Sequence, residues 1–404
     1  MSKNFVVIGA SHAGTNLVET LRRKGWPGGI TLLDRLPGPP VERPPLSKLA
    51  PHPDWEQHNH LLKAREWFAE NDIDFRDGVE VVAVDRDTKS VQLVGGDTIA
   101  YDQLAIASGA YPRPLPGPGA DLDGVLYLRT VLDATSLQEE VGSAQKVVVV
   151  GGGYIGLEAA ACLAKLDKDV SVIEFAPRLL ARVATPPMSA FFEKLHRDHG
   201  VTIYTGEGTQ ELRGDGRVRQ VVTTSGRELD CDLVLVGIGV IPETQLAEAA
   251  GLDVDNGILV NPYCQTNDPD IYALGDVARR EGSPGGLRIE SIHNAQFTAV
   301  KVAEHALGLD MGKEEVPWFW SEQFGYRLQS AGVATEWDDV VWRDEEKESS
   351  GSAWTFHGEH LVMVEAFHQV QAFMVGKRLM EMGKNPTKEQ VADPSVALKS
   401  LLKG

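Results

Sequence analysis

Two glycine-rich turns, Gly9-Ala10-Ser11-His12-Ala13-Gly14 and Gly151-Gly152-Gly153-Tyr154-Ile155-Gly156, constrain this chain more than any other feature. Each follows an apolar run that reads as a buried strand, Phe5 to Ile8 and Val147 to Val150. Each precedes a helix-like stretch, Ala13 to Arg23 and Ile155 to Leu166. A strand, a tight turn and a helix in that order let the backbone approach a pyrophosphate and aim the helix N-terminus at its charge. Two copies imply two dinucleotides, and a chain that binds two most simply passes a hydride from a nicotinamide to a flavin.

The second copy is a complete G-x-G-x-x-G, Gly151, Gly153 and Gly156. Its next strand, Val170 to Ile173, ends at Glu174, where a carboxylate binds the hydroxyls of an adenosine ribose. The first copy carries Ser11 in place of the middle glycine, and its strand Ile30 to Leu33 ends at Asp34. The pattern repeats further: Asp102 to Gly109 and Asp232 to Gly239 are each an aspartate, an apolar strand and a glycine. The chain is therefore expected to hold two Rossmann-like domains, with a linker over Pro112, Pro114, Pro116 and Pro118. A further strand ending in Gly275-Asp276 follows the second unit. Alternation such as Leu361 to Ala366 predicts an antiparallel sheet near the C-terminus. The expected fold is α/β, glutathione-reductase-like, with a C-terminal α+β domain. The expected boundaries are 1–110 with 246–315, 111–245, and 316–404.

With 404 residues and 42% apolar composition the chain can build several cores. A net charge of −19 argues against nucleic acid and anionic membrane surfaces. Met1 to Asn4 runs into the first strand without a charged and apolar leader, and no apolar run reaches the length of a membrane span, so a cytoplasmic protein is expected. Cys162, Cys231 and Cys264 stand singly, which excludes a Cys-x-x-Cys disulfide relay and gives no metal ligand set. Cys162 and Cys231 read as buried hydrophobes; Cys264 leaves a single reactive thiol open.

The chain resembles the FAD-dependent ferredoxin reductases that serve bacterial haem monooxygenases and ring-hydroxylating dioxygenases, the putidaredoxin-reductase type. The resemblance covers nearly the whole chain. It rests on Arg43 to Lys48, Tyr127 to Thr130, Gly151 to Glu158, Ala273 to Asp276, Arg288 to Ser291 with Asn294-Ala295, and Pro317-Trp318-Phe319-Trp320-Ser321-Glu322-Gln323. It implies FAD on the first unit, NADH on the second and a [2Fe–2S] ferredoxin as acceptor; a monomer or weak dimer is expected.

By position, the resemblance assigns FAD to Gly9, Ser11, His12, Ala13, Gly14, Asp34, Arg43, Lys48, Val81, Ser108, Gly109, Arg129, Gly275, Asp276, Ile292 and Trp320. NADH is assigned to Gly151, Gly153, Tyr154, Ile155, Gly156, Glu158, Glu174 and Gly239. Lys48 is expected at the reactive edge of the flavin, where a cation stabilises the reduced ring. Glu158 is expected at the nicotinamide carboxamide, or else as a carboxylate complementing a helix dipole. Asp276 reads both as a ligand of the ribityl chain and as a helix cap. Trp320 reads as an electron conduit or as packing over the flavin, and His293 as a loop residue or a group facing the flavin or partner. Asp34 followed by Arg35, where the family commonly has a glycine and then an acid, leaves open which group meets the FAD ribose. Lys63, Arg65, Arg279, Arg280 and Arg288 are the candidate basic area for an acidic ferredoxin. Rival readings keep the fold with another acceptor, as in a diaphorase, monodehydroascorbate reductase or NADH oxidase, or make the chain a redox-gated interaction protein.

Overall fold

A computed structural model of the chain describes residues 3–344 and 350–403. It divides into two compact units, residues 1–42, 57–111 and 241–317 in the first and 43–56, 112–240 and 318–404 in the second.

The first unit is built on a five-stranded parallel sheet in the order Ile271–Ala273, Gln103–Ile106, Asn4–Ile8, Gly29–Asp34, Ile73–Asp77. The apolar runs read from the sequence are its central strands, buried on both faces because helices cover a parallel sheet. Helices His12–Arg23 and Ile292–Ala306 pack on each other. A three-stranded antiparallel sheet, Val81–Asp85, Ser90–Leu93 and Thr98–Ala100, completes the unit's inserted layer.

The second unit contains the same arrangement again. Its parallel sheet runs Thr202–Thr205, Asp169–Glu174, Lys146–Val150, Leu233–Val236, Val125–Tyr127, so its first four strands repeat the order of the first sheet read from the opposite edge. Only the fifth strand has a different source: in the first unit it comes from far downstream, and in the second from just upstream. The second unit also carries the antiparallel sheet expected at the C-terminus, in the order Trp318–Gln323, Tyr326–Gly332, His360–Phe367, Gly351–His357, Asp339–Asp344, with helix Val370–Glu381.

The short helix Pro44–Lys48 belongs to this second unit although the chain on either side of residues 43–56 belongs to the first. Pro44 and Pro45 open it because proline is suited to the first helical turn. It packs against helices Tyr154–Lys165 and Val131–Val141. No helix among the described residues is long and apolar enough to cross a membrane.

Candidate functional site

The two glycine turns close in the same way. Gly9 and Gly151 have φ of +101° and +112°, a region that favours glycine. Their N–H groups donate to Leu33 and Ile173 at 2.7 and 2.8 Å. A Cβ on Gly14 would stand 1.9 Å from the Gly9 carbonyl oxygen, and one on Gly156 would stand 2.2 Å from that of Gly151. These glycines are required so that helix and strand can approach. The middle position differs: Gly153 caps its helix with φ −81° and would place a Cβ in open space. Ser11 holds the equivalent cap at φ −75°. That backbone suits any residue, so serine replaces glycine there without strain, and Ala13 and His12 are buried behind it.

The strand-end acids are equivalent as well. Asp34 accepts from the Ala10 N–H at 2.7 Å and the Leu36 N–H at 2.9 Å. Glu174 accepts from the Gly152 N–H at 2.6 Å and the Ala176 N–H at 2.7 Å. Asp34 is thus the structural counterpart of Glu174. An open cap, a helix N-terminus and an acid anchored beside the turn are the donor and acceptor set a dinucleotide takes, so the residues of each turn fit such a cofactor.

Around the first turn, Gly275 (φ +71°) comes so close to the turn helix that a Cβ would meet the Ala13 Cβ at 2.8 Å. Its N–H donates to Thr298 Oγ1 at 3.1 Å, and Arg288 binds the Asp276 carbonyl oxygen at 2.6 Å. Ser108 donates to the Glu243 carbonyl oxygen at 2.8 Å, and Gly109 takes φ +74° beside it. Val81 is buried at the start of its strand. Ile292 opens a helix capped by Ser291, and the buried His293 Nε2 lies 2.8 Å from Glu315. The basic candidates are each ion-paired: Lys63 with Glu19, Arg65 with Asp77, Arg279 with Asp255, Arg280 with Glu314 and Arg288 with Glu290.

Arg43, Lys48, Arg129 and Trp320 lie in the second unit, with the residues assigned to NADH. Arg43 binds the Arg129 carbonyl oxygen, and Arg129 leads into a capping box between Thr130 and Asp133. Lys48 Nζ stands 2.8 Å from Glu158 Oε2, and Ser47 donates to the same oxygen at 2.6 Å. Ser321 donates to Glu158 Oε1, also at 2.6 Å. Glu158 is 2% exposed, so its charge is satisfied entirely by this ring of donors. Tyr154 lies 4.5 Å from Phe319 between ring centroids; burial, with Glu365 and Glu158 nearby, pushes its phenol well above the usual range. Ile155 is exposed at the helix start. Gly239 (φ +100°) faces the Arg182 guanidinium. Trp320 is half-buried, 5.5 Å from Trp318.

Ser47, Ser321, Gln323 and His196 were not singled out for chemistry by their sequence. A signal exists for two of them: Ser321 and Gln323 alternate on one strand face and are buried, whereas Glu322 between them is exposed. The cysteines are all buried, and burial pushes Cys162 up to about 11 and Cys231 and Cys264 up to about 12. The reactive-thiol reading of Cys264 therefore falls.

Two Rossmann-like units with paired turns and acids, and no redox-active thiol, define a flavin- and nicotinamide-type oxidoreductase. Residues 3–299 match the pyridine nucleotide-disulphide oxidoreductase family and residues 318–402 the reductase C-terminal family; the chain belongs to the former and carries the latter's domain. It is 39% identical to rhodocoxin reductase of Rhodococcus erythropolis over 98% of this chain and 93% of that one. It is 34% identical to the ferredoxin–NAD(+) reductase component of the anthranilate 1,2-dioxygenase system of Burkholderia cepacia, over 98% and 99%. Among solved structures, a covalent putidaredoxin reductase–putidaredoxin complex matches with a TM-score of 0.95 and 35% identity, covering 99% of this chain and 98% of that one.

Proposed function

We propose that the chain is an NADH-dependent, FAD-containing ferredoxin reductase that passes single electrons to a [2Fe–2S] ferredoxin feeding a haem monooxygenase or a ring-hydroxylating dioxygenase. The duplicated turn carries this reading: two pyrophosphate cradles, each with its own strand-end acid, in a chain without a thiol pair to relay electrons. Bound FAD supplies a centre that accepts a hydride and gives electrons up one at a time. The names of the similar reductases point to the acceptor.

In this reading residues 1–110 and 246–315 take FAD, residues 111–245 take NADH, and residues 316–404 form a third domain. Gly9 to Gly14, Asp34, Gly275 and Asp276 hold the FAD pyrophosphate, ribose and ribityl chain. Gly151 to Gly156 and Glu174 hold the NADH pyrophosphate and ribose. Glu158, fixed by Lys48, Ser47 and Ser321, orients the nicotinamide through its carboxamide, and no general base or nucleophile is needed because positioning suffices. The protein works in the cytoplasm as a monomer or weak dimer.

The test is NADH-dependent reduction of cytochrome c by the purified protein loaded with FAD, with and without an added [2Fe–2S] ferredoxin. Strong dependence on ferredoxin is expected. Equal rates without it would transfer the reading to a reductase of small acceptors.

A further inference from the structure

Behind Glu158 the second unit contains a line of buried polar groups that neither the turn nor the strand-end acid explains. Ser321 Oγ lies 2.6 Å from Glu158 Oε1, Gln323 Nε2 lies 3.1 Å from Ser321 Oγ, and His196 Nε2 lies 2.8 Å from Gln323 Oε1. His196 and Ser321 are wholly buried and Gln323 is 1% exposed.

The proton directions in this line are forced. A carboxylate oxygen only accepts, so the one hydroxyl proton of Ser321 goes to Glu158. Ser321 must then accept from the Gln323 amide, which turns the amide oxygen toward His196. His196 must therefore carry its proton on Nε2, leaving Nδ1 as a bare acceptor, and Nδ1 has no hydrogen-bond partner among the described residues. The opposite amide orientation would set two acceptors without a proton against each other at Ser321. Burial pushes His196 down to about 4, so the ring is neutral and the directions persist at physiological pH.

The geometry points to His196, Gln323 and Ser321 as positioning residues: a polarised hydrogen-bond relay, running from helix Pro186–Asp198 through strand Trp318–Gln323, that fixes the Glu158 carboxylate for the nicotinamide. Lys48 and Ser47 hold one carboxylate oxygen and the relay holds the other, so neither can rotate without losing a donor. This gives the Trp-Ser-Glu-Gln segment a chemical role distinct from that of its tryptophan. The inference rests on the reading that Glu158 meets the nicotinamide.

The experiment uses the FAD-loaded protein with Ser321→Ala, Gln323→Leu and Glu158→Gln variants. Long-range ¹H–¹⁵N correlation spectra of the wild type should show His196 as the Nε2–H tautomer, not titrating near pH 6.5. In stopped-flow, Ser321→Ala should lower the limiting rate of flavin reduction by NADH about tenfold, as expected for a lost hydrogen bond to a charged group, and Gln323→Leu, which removes only the neutral bond behind it, should lower it about threefold. Their Kd for ADP-ribose, which has no nicotinamide, should stay within about twofold of wild type. An Nδ1–H tautomer, a wild-type rate in either variant, or a parallel loss of ADP-ribose binding would each overturn the relay. A wild-type rate in Glu158→Gln would instead sink the nicotinamide reading of Glu158, with the His196 tautomer still judging the proton directions.

Discussion

Lys48 and Glu158, 110 residues apart in sequence, form one ion pair with Nζ 2.8 Å from Oε2. The side chain of Glu158 is 1% exposed and that of Lys48 19%. Removing one partner of such a pair leaves a buried charge uncompensated, whereas removing both charges does not. Lys48→Met should lower stability by about 3 kcal/mol, and adding Glu158→Gln should recover most of that loss. Urea unfolding at saturating FAD provides the measurement, since cofactor binding itself shifts the midpoint.

Glu365 and His196 oppose each other in pH. Burial pushes Glu365 from 4.5 up to about 7, so between those values the folded protein keeps a proton that the unfolded chain has released, and stability falls as pH rises. His196 is depressed from 6.5 to about 4, so the unfolded chain binds the extra proton and stability falls as pH drops through that window. The two contributions largely cancel over their common range. Glu365→Gln should therefore stabilise the protein by up to about 3 kcal/mol at pH 8 and expose an acid-side decline below pH 6.5. Unfolding free energies from pH 5 to 8 check both limbs.

If Glu174 takes the NADH ribose as proposed, Glu174→Arg should reduce the preference for NADH over NADPH by at least about tenfold, because a carboxylate there repels a 2′-phosphate and a cation attracts it. The substitution also removes two anchors, on Gly152 and Ala176, so some affinity for both cofactors should go with it. Comparing kcat/KM for the two nicotinamide cofactors decides the matter; an unchanged ratio would remove Glu174 from cofactor choice.

Trp320→Ala separates transfer from packing. If the ring carries electrons outward, ferredoxin turnover should fall about tenfold while flavin reduction by NADH stays nearly intact. If it only packs with Trp318, both half-reactions should fall together. Stopped-flow flavin reduction beside ferredoxin turnover distinguishes the two.

Local sequence carried the turns, the strands and the acids because each depends on residues close together: a glycine where φ is positive, an apolar run where both sheet faces are covered, an acid at a strand end. The equivalence of Asp34 with Glu174 was obscured by the residues following Asp34, and two backbone hydrogen bonds resolve it. Glu158 and Lys48 were legible as separate charged residues but not as a pair, since nothing local brings a helix at residue 44 to one at residue 154. The relay was hidden for a similar reason. Serine, glutamine and histidine are common on surfaces, and only burial turns them into a line with fixed proton directions.

Residues 43–56 group with the second unit although their chain neighbours group with the first. Genetically, the second nucleotide-binding module is therefore not a single cassette. A fragment starting at Pro112 would carry the Glu158 carboxylate but neither Ser47 to donate to it nor Lys48 to neutralise it. Recombination that swaps this module between related reductases must bring a short piece from near the start of the gene with it, or place a foreign Pro-Pro-Leu-Ser-Lys helix against a carboxylate it did not evolve with.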